Sequence, residues 1–286
     1  MKLIIKQIKG HALFKLNQIH RLVAYGCSYT QGAELADADF IPGLTIDQIN
    51  SEKNLLGNPG FYNKYLGSWF DDTRGATIRE KEILRAWPSK LIKELGVQWS
   101  YLNRARPGSS MQEIVFTLEK DLYNGVIGDN DLIIIGITSP LRVLKFNDRG
   151  DPQSLVCTDL DSRWHSPAMR ELFIQQFVNK YWELYHWYQS INYIDLLSEK
   201  FNNRILQQYL HLTYTQHTSN TELKTEFLKI TNNLENCNSI VDSNLSFYTT
   251  DGGWDNTCTH GFHHPYESVH ASLAKRLAIK IKEKYA

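Results

Sequence analysis

The segment Leu22-Val23-Ala24-Tyr25-Gly26-Cys27-Ser28-Tyr29-Thr30-Gln31-Gly32 constrains this chain more than any other. An apolar run stops at Gly26, a serine follows at position 28, and Gly32 closes the turn. Unbroken apolar sequence suits a strand buried on both faces, as in parallel sheets. Such a strand delivers the residues after it to the carboxyl edge of the sheet, where open α/β folds place their ligands. Ser28 reads in two ways there. It is a nucleophile if a base reaches it, or a helix cap at an ordinary strand-to-helix turn.

The rest of the chain alternates strand and helix signals. Trp87-Pro88 opens a helix with proline in its first turn, Leu91, Ile92 and Leu95 form its core face, and Gly96 ends it. Trp99 to Asn103 reads as a second strand. Ser110-Met111-Gln112-Glu113 has the form of a capping box before the stripe Ile114, Val115, Leu118 and Leu122. Leu132 to Ile137 is apolar at every position, as a central parallel strand should be. Ile205 to Tyr214 offers a fourth strand, Ser239 to Asp242 a short fifth element, and Tyr266 to Tyr285 a final helix with Val269, Leu273, Leu277 and Ile281 on one face. Two stretches break the rhythm. Ala33 to Ala86 is long, aromatic and glycine-containing, and a connection of that length is usually functional or carries its own helices. Arg149 to Pro167 is turn-rich and polar and reads as a surface loop, followed by a helical pattern from Ala168 to about Phe201. Its aromatic stripe reads as a buried or capping helix before it reads as an acyl pocket.

Composition excludes several partner classes. With 286 residues the chain is long enough for one large α/β domain carrying insertions. Lys+Arg 31 against Asp+Glu 31 leaves no net field to draw nucleic acid or an anionic membrane. The four cysteines, Cys27, Cys157, Cys237 and Cys258, are too scattered for a disulfide framework and suit a reducing compartment. No apolar run is long enough to span a bilayer, and lysines interrupt the N-terminal region, so a cytoplasmic location is expected.

Further motifs follow the Ser28 turn in a fixed order: Asn103-Arg104-Ala105-Arg106-Pro107-Gly108-Ser109-Ser110, then Asp131 to Arg142 with Thr138-Ser139 after the apolar run, then His264-Pro265 with His270 beyond. In this set the chain resembles the GDSL-like, or SGNH, hydrolases. Their blocks read Gly-Asp-Ser-x-x-x-Gly, Asn-x-Ala-x-x-Gly-x-Ser, a post-strand block with an Asn-Asp pair, and Asp-x-x-His-Pro before a C-terminal helix. Cys27 stands where that family has Asp, Thr138-Ser139 where it has Asn-Asp, and Gly261 where the last block has its Asp. The resemblance implies a flavodoxin-like three-layer α/β/α fold over residues 1–286, with a mostly parallel sheet of about five strands. Insertions fall at about 33–86 and 149–201, the first with the Ala168 helix forming a lid over the carboxyl edge.

It also implies a serine hydrolase that cleaves an acyl or acetyl ester of a small molecule, lipid or carbohydrate without a cofactor. Ser28 is then the nucleophile and His264 its base, because a serine hydroxyl needs a base within hydrogen-bond reach. The oxyanion is met by the N–H groups of Ser28 and Gly108, with Thr138 supplying a hydroxyl where the family has an amide. Asp255 is the first candidate to orient His264, ahead of Asp251 and Glu267, and a dyad held by a backbone carbonyl is the alternative. Arg142 either binds an anionic substrate group or pairs with a surface carboxylate. Two other functions stay open. The residues Cys258, His260, His263, His264 and His270 are the donor types zinc uses, although their spacing matches no zinc motif. A degenerate scaffold that binds a ligand without turning it over is the other, since fold does not guarantee activity.

Overall fold

The computed structural model describes residues 16–33, 35–41, 43–66, 72–139, 142–146, 152–156, 168, 171, 180–201, 204–210, 239–242, 245–247 and 264–285. Strands β1 (Arg21–Tyr25), β2 (Ser100–Asn103) and β3 (Asp131–Ile137), with β6 (Arg204–Tyr209), form one parallel sheet in the order β2-β1-β3-β6. An isolated parallel bridge from Gln207 to Ile240 continues that order by one position. The expected fifth strand is thus a single bridge, and among the described residues the sheet has four strands. Just past the bridge, wholly buried Gln208 donates its side-chain amide to the Asp242 and Leu245 carbonyls.

Alternation along the strands divides two cores. Leu22, Ala24, Leu132, Ile134 and Leu206 face one layer, packed by α5 (Trp87–Leu95) and the C-terminal helix α8 (Glu267–Tyr285). Val23, Tyr25, Ile133, Ile135 and Ile205 face the other, packed by α6 (Met111–Tyr123) and α7 (Lys180–Phe201). This is the three-layer α/β/α arrangement, and the central strand β3 is buried at every position.

Residues after β1 build α1 (Ser28–Gln31), α2 (Asp37–Phe40), α3 (Ile46–Leu66) and α4 (Asp72–Arg85). The last three have a small core of their own, Ala36, Ile41, Ile49, Phe61 and Ile78. Inside it lies a buried ion pair between Lys53 and Asp37, with the ammonium 5.4 Å from the Phe61 ring centre. Removing either partner would strand a buried charge, which costs about 3–5 kcal/mol. The insertion docks against the α1 turn: Gln31 donates to the buried Glu82 carboxylate, and Arg85 donates to the Leu35 carbonyl.

The reading of Arg149 to Pro167 as a surface loop is corrected in part. Strand β4 (Arg142–Phe146) pairs antiparallel with β5 (Pro152–Val156), and this hairpin lies on α6. Pro152 is tolerated as a first strand residue, where its missing N–H is not called upon.

Candidate active site

The turn after β1 is set by packing. Thr30 lies between Gly26 and Gly136, where a Cβ on either would come within 2.1 or 2.2 Å of its hydroxyl oxygen, so both positions must stay bare. Gly32 ends α1 at φ 86, and its N–H donates to the Ser28 carbonyl. A side chain there would be strained and would also meet the Glu82 carbonyl. Cys27 is the N-cap residue and is buried without a capping hydrogen bond. Ser28 is therefore the first residue of the helix and not its cap. Its N–H has no carbonyl behind it in α1, as helix starts dictate.

His264 arrives from the other end of the chain. Its Nε2 lies 2.8 Å from Ser28 Oγ, and its ring sits 5.2 Å from that of Tyr29, the next residue along α1. Buried Pro265 follows, and α8 starts two residues later. His270 has a different situation. It is wholly buried, its Nδ1 accepts the backbone N–H of Trp87 at 3.1 Å, and its ring packs on Phe247 at 4.8 Å. Of the carboxylates considered as orienters, Glu267 is exposed and pairs with Lys90 at 2.7 Å. Asp251 and Asp255 lie outside the described residues, as do Cys258, His260 and His263. Among the described residues no group of three or more His, Cys, Asp or Glu could hold a metal ion.

The loop after β2 is tied to the same turn. Arg104 N–H donates to the Ala24 carbonyl and Arg106 N–H to that of Gly26. Asn103 donates to the Thr30 carbonyl and accepts from Ala105 N–H, holding the loop in register. Arg104 grips Asp121 of α6 with two hydrogen bonds, and Tyr25 gives its hydroxyl to the same carboxylate. Burial, then that hydrogen bond, pushes the Tyr25 phenol far above its ordinary value, so it stays a neutral donor. Gly108 follows at φ 78, with nothing within 4 Å of where a Cβ would be. Its backbone thus borders open space, and its N–H meets no acceptor among the described residues.

Thr138 stands just past the end of β3 and is buried. Its N–H points at Met111 Sδ, its carbonyl accepts from Trp187 Nε1 at 2.8 Å, and its hydroxyl oxygen accepts from Arg142 at 3.1 Å. Arg142 also donates to the Ser109 carbonyl, and it meets no carboxylate among the described residues. Ser110 caps α6 through Glu113 N–H as the capping box requires. The return half of that box runs through a residue the sequence did not single out: Ser154 of β5 accepts the Ser110 N–H and donates to Glu113. Neither hairpin strand had been foreseen, so nothing marked Ser154 for this place.

The register of β1 on β3 pairs Tyr25 with Ile135, so the residues beyond their ends emerge side by side. The order β2-β1-β3-β6 reverses its direction of growth between β1 and β3, which makes this crevice the topological switch point of the sheet.

No family model matches the chain, and no curated protein matches it. Among solved structures the chain is similar to a member of the lipolytic protein G-D-S-L family from Veillonella parvula, at 13% identity over 92% of this chain and 97% of that one, with a TM-score of 0.43. It is similar to TesA at 10% identity over 93% and 99% of the two chains, with a TM-score of 0.47. It is also similar to an acetyl xylan esterase from the rumen bacterium Butyrivibrio proteoclasticus, at 15% identity and a TM-score of 0.44, covering 93% of this chain and 64% of that one.

Proposed function

We propose that this protein hydrolyses a carboxylic ester through an acyl-Ser28 intermediate. The observation that carries the reading is the 2.8 Å approach of His264 Nε2 to Ser28 Oγ at the carboxyl edge of a parallel sheet. In the first half-reaction Nε2 takes the Ser28 proton as Oγ bonds to the ester carbonyl carbon. The tetrahedral intermediate expels the alcohol, which leaves with the proton His264 gained. Water then repeats the sequence on the acyl-serine, returning Ser28 and releasing the acid.

The negative oxygen of each intermediate is met by the N–H groups of Ser28 and Gly108, neither of which has an acceptor among the described residues. Thr138 is the third donor. Its oxygen accepts from Arg142, so its own proton points away from the guanidinium. For Nε2 to accept, the ring hydrogen of His264 must sit on Nδ1, and Asp255 is the carboxylate we assign to hold it. Asp255→Asn would then lower turnover by about 100-fold or more through loss of tautomer control while leaving KM and the thermal midpoint nearly unchanged. A Ser28-dependent rate that is the same in that variant would mean a dyad.

The test of the whole reading is a short-chain p-nitrophenyl ester assay with Ser28→Ala as control, paired with fluorophosphonate labelling of Ser28. Turnover that persists in Ser28→Ala overturns it, and an unreactive, unlabelled Ser28 marks a scaffold that binds without catalysis.

A further inference from the structure

Arg142 stands at the first position of β4 with its guanidinium half-buried beside the crevice. Nη1 carries two hydrogens, and both have partners: the Ser109 carbonyl at 3.3 Å and the Thr138 hydroxyl oxygen at 3.1 Å. The remaining three hydrogens, on Nε and Nη2, meet no acceptor among the described residues, and no carboxylate there lies within ion-pair distance. Three other described arginines are fixed on an acid, Arg21 with Asp131, Arg85 with Asp39 and Arg104 with Asp121, whereas Arg204 is held by the Asp129 carbonyl and the Gln18 side chain. Arg142 has no acid among the described residues, although it stands beside the crevice. One end of its guanidinium is tethered to the two loops that flank Ser28, and the Nε–Nη2 edge has no acceptor among the described residues. That edge is the one that takes a carboxylate or phosphate with two parallel hydrogen bonds.

A second cation hangs on the same turn. Ser109 N–H donates to the Arg106 carbonyl, and the Arg106 side chain is 59% exposed. Among the described residues Arg106 meets one acid, Glu113, at 3.9 Å, and that carboxylate already accepts the Ser154 hydroxyl. The crevice wall formed by the loops after β2 and β3 therefore carries positive charge in excess of its described acids, although the chain as a whole is neutral at 31 against 31.

We propose that Arg142 recognises an anionic group on the substrate, so that the ester presented to Ser28 carries a carboxylate or phosphate on its acyl or alcohol part. This rests on the ester-hydrolysis reading above and narrows its substrate class. A partly desolvated guanidinium is worth most against a charged oxygen and little against an uncharged chain.

The test compares p-nitrophenyl butyrate with mono-p-nitrophenyl glutarate, which differ in a terminal carboxylate, and uses butyl phosphate as a competitor for the phosphate arm. The expected result is a kcat/KM for the glutarate ester at least about tenfold above the butyrate ester, or competitive inhibition of butyrate hydrolysis by butyl phosphate. Whichever anion is preferred, Arg142→Gln should raise its KM or inhibition constant about tenfold or more and cost the butyrate ester several-fold less. Arg142→Lys, which keeps the charge and loses the fork, should fall between. Ser28-dependent butyrate hydrolysis with neither preference nor inhibition overturns the anion site and leaves the hydrolase reading standing. An Arg142→Gln variant that slows both esters equally through kcat also overturns it, and marks Arg142 as a support for Thr138. If neither ester is cleaved and Ser28 resists fluorophosphonate, the hydrolase reading falls and takes this one with it.

Discussion

The two ends of the same pair of strands make opposite uses of polar groups. At the amino edge, Arg21 opens β1 and Asp131 opens β3, and they meet side on. Arg21 Nε reaches Oδ1 at 2.9 Å, its Nη2 reaches Oδ2 and the Val126 carbonyl, and Oδ2 also takes the Gly128 N–H. Each carboxylate oxygen is occupied, and the arrangement closes on itself. At the carboxyl edge the same strands run out into Gly26-Cys27-Ser28 and Thr138, and several donors have no acceptor among the described residues: the N–H groups of Ser28 and Gly108, the Thr138 hydroxyl proton and one edge of Arg142. An unmade hydrogen bond in a partly buried place costs free energy. Several such donors together suit a place that a bound group completes, and the contrast supports the site proposed at the carboxyl edge.

The largest effect expected from that contrast belongs to the carboxyl edge. Ser28→Ala or His264→Ala should lower ester turnover by about four orders of magnitude or more, and the two changes combined should cost little beyond either one, because the pair acts as a unit. Neither should move stability by more than about 1 kcal/mol, since neither side chain is a packing anchor. Kinetics and urea melts on the three variants check both halves. A double variant far slower than each single one would mean that the two residues work independently.

The amino edge should respond the other way. Asp131→Ala removes the carboxylate that accepts from Arg21 Nε and from the Gly128 N–H and leaves Arg21 only the Val126 carbonyl among the described residues, which should cost about 2 kcal/mol of stability. Turnover per folded molecule should be unchanged. The urea midpoint reads the first, and kcat well below the melting range reads the second. A large loss of kcat with an unmoved midpoint would break the division between the edges.

What could be read from sequence was whatever a local signal specifies. The apolar run before Gly26, the proline and glycine around α5, the serine that caps α6 and the apolar run Leu132 to Ile137 of β3 each carry their own structural instruction within a few residues, and the structure follows them. The crevice was legible for the same reason, because strand ends at a switch point bring Ser28 and Thr138 together whatever lies between. What escaped was decided at a distance. The segment Pro152–Val156 has little strand character of its own and becomes β5 by pairing with β4 and by placing Ser154 between Ser110 and Glu113. The insertion reads as a long connection that is functional or carries its own helices, and it carries α2, α3 and α4, whose bounds no local signal marked. Its α3 carries a proline and two glycines in sequence and so argues against a helix locally, and the packing of Ile49 and Phe61 with Ile78 prevails over propensity. Arg142 was foreseen with a surface carboxylate as its alternative partner, and among the described residues its partners are two neutral oxygens.

The smallest effect separates two histidines that the sequence presented as one cluster. His264 is half-buried and faces Ser28, whereas His270 is wholly buried and uses Nδ1 to accept the Trp87 N–H at the start of α5. That N–H is one of the four at a helix start with no partner inside the helix, so His270 acts as a remote cap. His270→Leu fills a similar volume but leaves the N–H unsatisfied in a buried place, and should cost about 1–2 kcal/mol. His270→Asn returns an acceptor oxygen near the Nδ1 position and should recover part of that loss, offset by the packing it gives up against Phe247. Both variants should keep Ser28 reactive toward fluorophosphonate and keep the pH dependence of ester turnover, because the base proposed for Ser28 is His264 and not His270. Asparagine no better than leucine in the melt would remove the capping role. A pH profile displaced in either variant would tie His270 to the chemistry and dissolve the distinction between the pair.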